Sequence, residues 1–183
     1  MRNVKSRSES LAKSPPSWSI WPRRLSNMIY RYRSDMLPKG DALWVGERLH
    51  QCLEACINGQ WVRSDYYFPC LAILHALEEL DMVRSSLRSE LCVSKLGYRG
   101  RIDIHGLLAD GRVCIVEIKA TVGPYLRRPK PAEVIQMGCY AALSDAQAPR
   151  LACVRISLPS RRLGVFIMDI SPKTMQQIRR DVA

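Results

Sequence analysis

The stretch "GRIDIHGLLADGRVCIVEIKA", residues 100–120, sets Asp103, Glu117 and Lys119 into two apolar runs that otherwise have the composition of buried strands. Lys119 follows Glu117 by two residues, so on an extended chain both side chains project from the same face. Two carboxylates gathered in a partly enclosed place repel each other, at a considerable cost unless something positive lies between them. A divalent cation meets that requirement. Mg²⁺ favours oxygen ligands, and an added histidine widens the tolerance toward Mn²⁺. An ammonium on the same face can hold or polarise a water beside a phosphate. Together these parts suit hydrolysis of a phosphodiester.

Whether the acids meet depends on the turn between them. A two-residue Asp110-Gly111 turn would place Asp103 opposite Ile118 and put the acids on opposite faces. A three-residue Ala109-Asp110-Gly111 loop, with Gly111 in the left-handed region, instead sets Asp103 opposite Glu117 and Arg101 opposite Lys119. The apolar pattern favours the second register. It predicts Ile102, Ile104, Val116 and Ile118 on one buried face and Asp103, Glu117 and Lys119 on the other.

The elements that must carry this hairpin can be read from periodicity and punctuation. An amphipathic helix is predicted from Asp41 to a stop at Gly59, and a second from about Phe68, with Pro69 in its first turn, to Leu80. Strands follow at about 87–96, 99–108 and 112–119, then a basic loop, "VGPYLRRPK". A helix is predicted from Pro131 to about Leu143, strands near 151–158 and 163–170, and a last helix from Pro172. The order is α-α-β-β-β-α-β-β-α, an α/β class with a central mixed sheet of about five strands flanked by helices.

Residues 1–40 differ in character, with nine Lys/Arg against two Asp/Glu in a Ser- and Pro-rich setting. They are predicted to form a basic, flexible arm, in which Trp18, Trp21, Tyr30 and Tyr32 could stack on bases. Residues 41–183 are then a single domain, a length that can bury a core without staples. The formal charge of +11 favours a polyanionic partner such as nucleic acid. No apolar run is long enough for a spanning helix, so no membrane association is expected. The seven cysteines are scattered and odd in number, which suggests reduced thiols and a cytoplasmic location; the Arg- and Ser-rich start keeps organellar targeting as an alternative.

Three fragments, in order, make the chain similar to the PD-(D/E)XK nuclease superfamily, in its RecB-like branch. "GERLH" resembles the G-x-x-x-H helix, "GRIDIHGLLADGRVCIVEIKA" the catalytic hairpin, and "QMGCY" the Q-x-x-x-Y helix. The resemblance implies a restriction-endonuclease-like core. It implies His50, Asp103 and Glu117, with the main-chain carbonyl of Ile118, as ligands for Mg²⁺ or Mn²⁺, and Lys119 as the catalytic lysine. It implies DNA-positioning roles for Gln136 and Tyr140, which lie four apart on one helical face. Glu90 resembles an acid that accompanies this hairpin in relatives and is given a secondary role, as is Glu54, one turn after His50 and able to orient its ring. Glu47 is a reserve ligand, His105 a neighbour of the site, and His75 a core histidine.

Arg127, Arg128 and Lys130, past the second strand of the hairpin, are candidates for contacts to the nucleic-acid backbone. No cysteine cluster follows Tyr140, so no iron–sulfur cluster is expected. The literal Pro-Asp pair is replaced by "RID", and no G-x-x-x-x-G-K-[ST] motif occurs. The expectation is a metal-dependent DNA nuclease, an exonuclease of DNA repair, recombination or phage and mobile-element DNA processing, working with a helicase or recombination partner. The alternative is a catalytically inactive nucleic-acid-binding protein on the same fold.

Overall fold

The computed structural model describes residues 28–31, 41–62, 64–95, 97–169 and 171–181. In chain order the elements are β1 (Met28–Arg31), α1 (Ala42–Ile57), α2 (Ser64–Glu79), a short 3₁₀ turn (Arg84–Ser86), β2 (Arg88–Lys95), β3 (Tyr98–Leu107), β4 (Val113–Thr121), α3 (Pro131–Leu143), β5 (Arg150–Ser157), β6 (Arg162–Asp169) and α4 (Pro172–Asp181). The strands form one mixed sheet in the order β1-β6-β5-β4-β3-β2. Among the described strands only β4 and β5 run parallel, joined by the α3 crossover. The α/β class and flanking helices are as expected. The sixth strand is β1, which pairs with β6 and lies within the segment expected as a flexible arm; the rest of that segment is outside the described residues.

Local chemistry accounts for most boundaries. The Asp41 side chain accepts the Trp44 N–H at 2.8 Å to open α1, and Gly59, at φ 69°, follows its end. Pro131 opens α3, and Glu133 accepts the Lys130 N–H at 2.7 Å there. The second helix departs from expectation by starting at Ser64, which leaves Pro69 inside it. That proline costs one intrahelical bond. Burial of Tyr66, Cys70, Ile73 and Leu77 outweighs the cost, because these residues hold α2 against the sheet from both sides of the proline.

Two apolar clusters sandwich the sheet. The larger joins α1 and α2 to Ile104, Val116, Ile118, Val154 and Val165; the smaller joins Met137 and Ala141 of α3 and Met175 of α4 to Ile115, Leu151 and Cys153. Residues 114–118 of β4 are all buried, as a strand covered on both faces requires. Cys52, Cys70, Cys114 and Cys153 are buried, Cys56 and Cys139 are half-buried, and Cys92 is exposed. His75, expected in the core, is partly exposed and lies 3.9 Å from Glu79.

The β3–β4 turn has the three-residue form. Leu108 N–H donates to the Arg112 carbonyl at 2.8 Å, Gly111 takes φ 83°, and the ladder runs from Leu107↔Val113 to Ile104↔Val116. Beyond that rung the strands take different neighbours. β4 continues along β5 to Thr121↔Ser157, while β3 stays with β2 down to Tyr98. The single apolar face is also interrupted. Ile104, Val116 and Ile118 join the larger cluster, but Ile102 packs in the smaller one. Between Ile102 and Ile104 the β2–β3 pairing lapses at Glu90, whose φ is 52°, and alternate side chains exchange faces across that kink.

Gly111→Val should lower stability by about 1–2 kcal/mol, the cost of forcing a branched side chain into the left-handed region. Urea unfolding measures it, and an unchanged midpoint would contradict the observed turn.

Candidate metal centre

The place where β3 and β4 part is where the chemical groups gather. At the first rung beyond the ladder, the Ile118 N–H donates to Asp103 Oδ2 at 2.7 Å. The carboxylate thus substitutes for the main-chain acceptor that a continuing β3 would offer. Its other oxygen, Oδ1, lies 3.6 Å from His50 Nδ1, brought from α1 by the burial of neighbouring Leu49 and Leu53. His50 Nδ1 is 3.0 Å from Glu90 Oε1, and Arg101 Nε is 2.8 Å from Glu90 Oε2. Glu117, only 3 % exposed, binds the Lys119 ammonium at 2.5 Å.

These groups open onto a cavity of about 980 Å³. One wall is α1, with Glu47, His50 and Glu54; another is Gln136 and Tyr140 of α3; the floor is Asp103 and residues 117–120. The Gln136 amide donates to the Tyr140 hydroxyl at 2.6 Å. Tyr140 in turn lies over Gly100, where a Cβ would come within 2.4 Å of Cε1 of its ring, so that glycine lets the ring approach β3. The expected residues His50, Asp103, Glu117, Ile118, Lys119, Gln136 and Tyr140 are therefore brought to one place, with Glu54 and Glu90 beside them. Arg127 and Arg128 are exposed on the segment leaving β4, and Lys130 precedes α3; none of the three lines the cavity.

The contacts of the acids add partners that the sequence did not pair. The carboxylate bonded to His50 is Glu90 of β2, rather than Glu54 one turn along α1. Arg101, expected opposite Lys119 in the hairpin register, lies beyond the last β3–β4 rung and forms an ion pair with Glu90. The sequence did hold a signal for Glu90: the Lys95↔Tyr98 pair next to Gly97, at φ 86°, fixes a register that carries Glu90 opposite Asp103. His105 lies opposite Arg88, away from the cavity, and burial together with that guanidinium lowers its pKa.

The donor set could hold a metal ion. The ligand atoms of His50, Glu90 and Asp103 all lie within 4.8 Å of one another. Around one ion with bonds of about 2.0–2.1 Å, donors can stand no more than about 4.2 Å apart, so the 3.0 and 3.6 Å separations already comply. Burial is the main cause that pushes the Asp103 pKa up to about 6; Glu117 adds to the rise, while His50 and the Ile118 N–H oppose it. For Lys119, burial works against the charged form, but the hydrogen bond to Glu117 and the charges of Glu117, Asp103 and Glu133 prevail and raise its pKa. Lys119 is therefore an ammonium at neutral pH, a donor and not a base.

No family model matches this chain, and no curated protein matches it. Among solved structures, one described as "Crystal structure of SSO0001" is similar at 15% identity and a TM-score of 0.39, over 78% of this chain and 60% of that chain. This chain thus spans less than two thirds of that protein's length, and the likeness is too distant to bear on function. Among the described residues, no helix is long and apolar enough to cross a membrane.

A raised Asp103 pKa has a defined effect on stability. Asp103 holds its proton more tightly in the folded chain, so its contribution favours folding below about pH 4 and is lost as pH rises through about 6. Asp103→Asn, which keeps an acceptor for the Ile118 N–H, should exceed the wild type by roughly 1–3 kcal/mol at pH 8 in chelator, because each tenfold change in proton affinity is worth about 1.4 kcal/mol. The gap should close at pH 4 in urea titrations; a constant gap would show that Asp103 is not the titrating group.

Proposed function

We propose that this chain is a divalent-metal-dependent deoxyribonuclease that hydrolyses phosphodiester bonds. The observation that carries the reading is the convergence of His50, Glu90 and Asp103 on one open cavity that also holds the Glu117–Lys119 pair. His50, Glu90 and Asp103 would hold the cation, with Glu117 and the Ile118 carbonyl as further oxygen donors. Such a cation supplies polarisation of a phosphoryl oxygen and a water of lowered pKa.

The chain's own groups do the rest. Lys119, charged and oriented by Glu117, donates to a phosphoryl oxygen or to the attacking water and stabilises negative charge as it develops. The Gln136 amide occupies the Tyr140 oxygen, which leaves the phenolic hydrogen free to donate to a phosphate across the cavity. Arg127, Arg128 and Lys130 offer phosphate contacts along the strand's approach, consistent with the basic balance of the chain. Likeness of the "GERLH", "RID…EIK" and "QMGCY" fragments to the RecB-like PD-(D/E)XK nucleases supports the same chemistry.

End-labelled linear and circular DNA, single- and double-stranded, incubated with Mg²⁺, Mn²⁺ or chelator, tests the proposal and separates exonuclease from endonuclease action. Cleavage should require the metal, and Lys119→Ala should reduce it by about 10²–10⁴-fold, as loss of a positioned donor or acid–base group does. Tight DNA binding with no cutting in either metal would favour the non-catalytic binding protein. Replacing Arg127, Arg128 and Lys130 together by alanine should flatten the plot of log affinity against log salt by about 0.7–0.9 per lost phosphate contact; an unchanged slope would remove that loop from the DNA path.

A further inference from the structure

We infer that Arg101 is a phosphate contact held in reserve: without a cation it neutralises Glu90, and cation binding at Glu90 frees it for the nucleic-acid backbone. The inference rests on the metal-dependent reading above and adds to it a residue and an order of events.

Both oxygens of Glu90 already have a partner. Oε1 faces His50 Nδ1 at 3.0 Å, and Oε2 faces Arg101 Nε at 2.8 Å. A cation held on Oε1, the oxygen that faces His50, would set a second positive charge against the guanidinium on Oε2, which keeps its own charge at every working pH. The competition is one the ion can win. The Arg101 side chain is 69% exposed against 20% for Glu90, and an ion pair with one member so open to water contributes little. The Glu90 carboxylate, by contrast, is fixed. Its backbone sits at φ 52°, between the rungs Ser89↔Ile104 and Leu91↔Ile102, so the strand itself aims the acid at the ligand cluster.

Arg101 already lines the cavity together with Lys119, Gln136 and Tyr140, so a phosphate held there lies within its reach. A planar guanidinium pairs with a phosphate through parallel N–H bonds, and its repulsion from an ion at Glu90 favours that exchange. Phosphate binding by Arg101 and cation binding at Glu90 then promote each other, and the coupling is reciprocal. A purely structural Arg101 predicts the opposite sign, because losing the ion pair would loosen Glu90 and weaken the ion.

Calorimetric titration of Mn²⁺ into the full chain, together with anisotropy of labelled single-stranded DNA with and without Mn²⁺, reads both halves. Lys119→Ala serves as the background if the wild type cuts the probe. Without DNA, Arg101→Ala should bind Mn²⁺ about two- to fivefold tighter than its parent, the range that loss of a competing surface ion pair gives. With Mn²⁺ present it should bind DNA at least about fivefold more weakly, and without Mn²⁺ almost equally. Arg101→Gln, which keeps a polar side chain without the charge, should move both affinities the same way. Unchanged or weaker Mn²⁺ binding in both variants overturns the exchange, as does a DNA affinity that ignores Arg101 in Mn²⁺. Absence of Mn²⁺ binding in the wild type overturns the exchange and the metal-dependent reading together. Tighter Mn²⁺ binding together with weaker DNA binding in Mn²⁺ by the Arg101 variants, in a chain that never cuts DNA, upholds the exchange and ends the nuclease reading alone.

Discussion

The hydrogen bond from the Ile118 N–H to the Asp103 carboxylate closes the sheet where its strands part. β4 is one of the two middle strands of the six, buried over residues 114–118, where its main-chain groups cannot turn to water. β5 accompanies it to Thr121, but β3 leaves after Ile104↔Val116. The orphaned donor takes a charged acceptor instead, a bond of about 1.5–3 kcal/mol, set against a larger loss if the group stayed unpaired. The acid that closes the sheet is also the acid that faces His50, so the site is seated where the fold needs a carboxylate.

Electrostatics follow from that seat. Asp103, Glu90 and Glu117 are gathered by three adjacent strands, and each has a positive or N–H partner: the Ile118 amide, His50 with Arg101, and Lys119. Burial makes the charge of Asp103 costly, and its neighbour Glu117 makes it costlier. The same surroundings keep Lys119 protonated. One wall of the same cavity carries the Gln136–Tyr140 pair, hydrogen-bonded to each other and facing these acids.

Much of this was legible before the structure. Ala109-Asp110-Gly111 fixed the hairpin register, because a glycine able to take positive φ in a three-residue loop leaves one way for apolar residues to align. Pro131 and Pro172 marked helix starts that the structure keeps. The start of α2 was not legible, since a proline reads as a first-turn residue until buried contacts on both sides of it are known. Nor was β1, whose short segment has pairing partners only once β6 offers it an edge.

By itself the sequence determined the class of fold, the hairpin's register and the residue types able to meet at Asp103, since periodicity and turn chemistry are local properties. Tertiary structure decided which of them meet. The reversal of faces between Ile102 and Ile104, the choice of Glu90 over Glu54 as partner of His50, and the capture of Arg101 by Glu90 all arise where the β2–β3 hairpin kinks and β4 departs toward β5. The physical reason is that a strand's alternation predicts its faces only while its ladder continues. Where the ladder ends, partners are chosen by buried donors and charges in space.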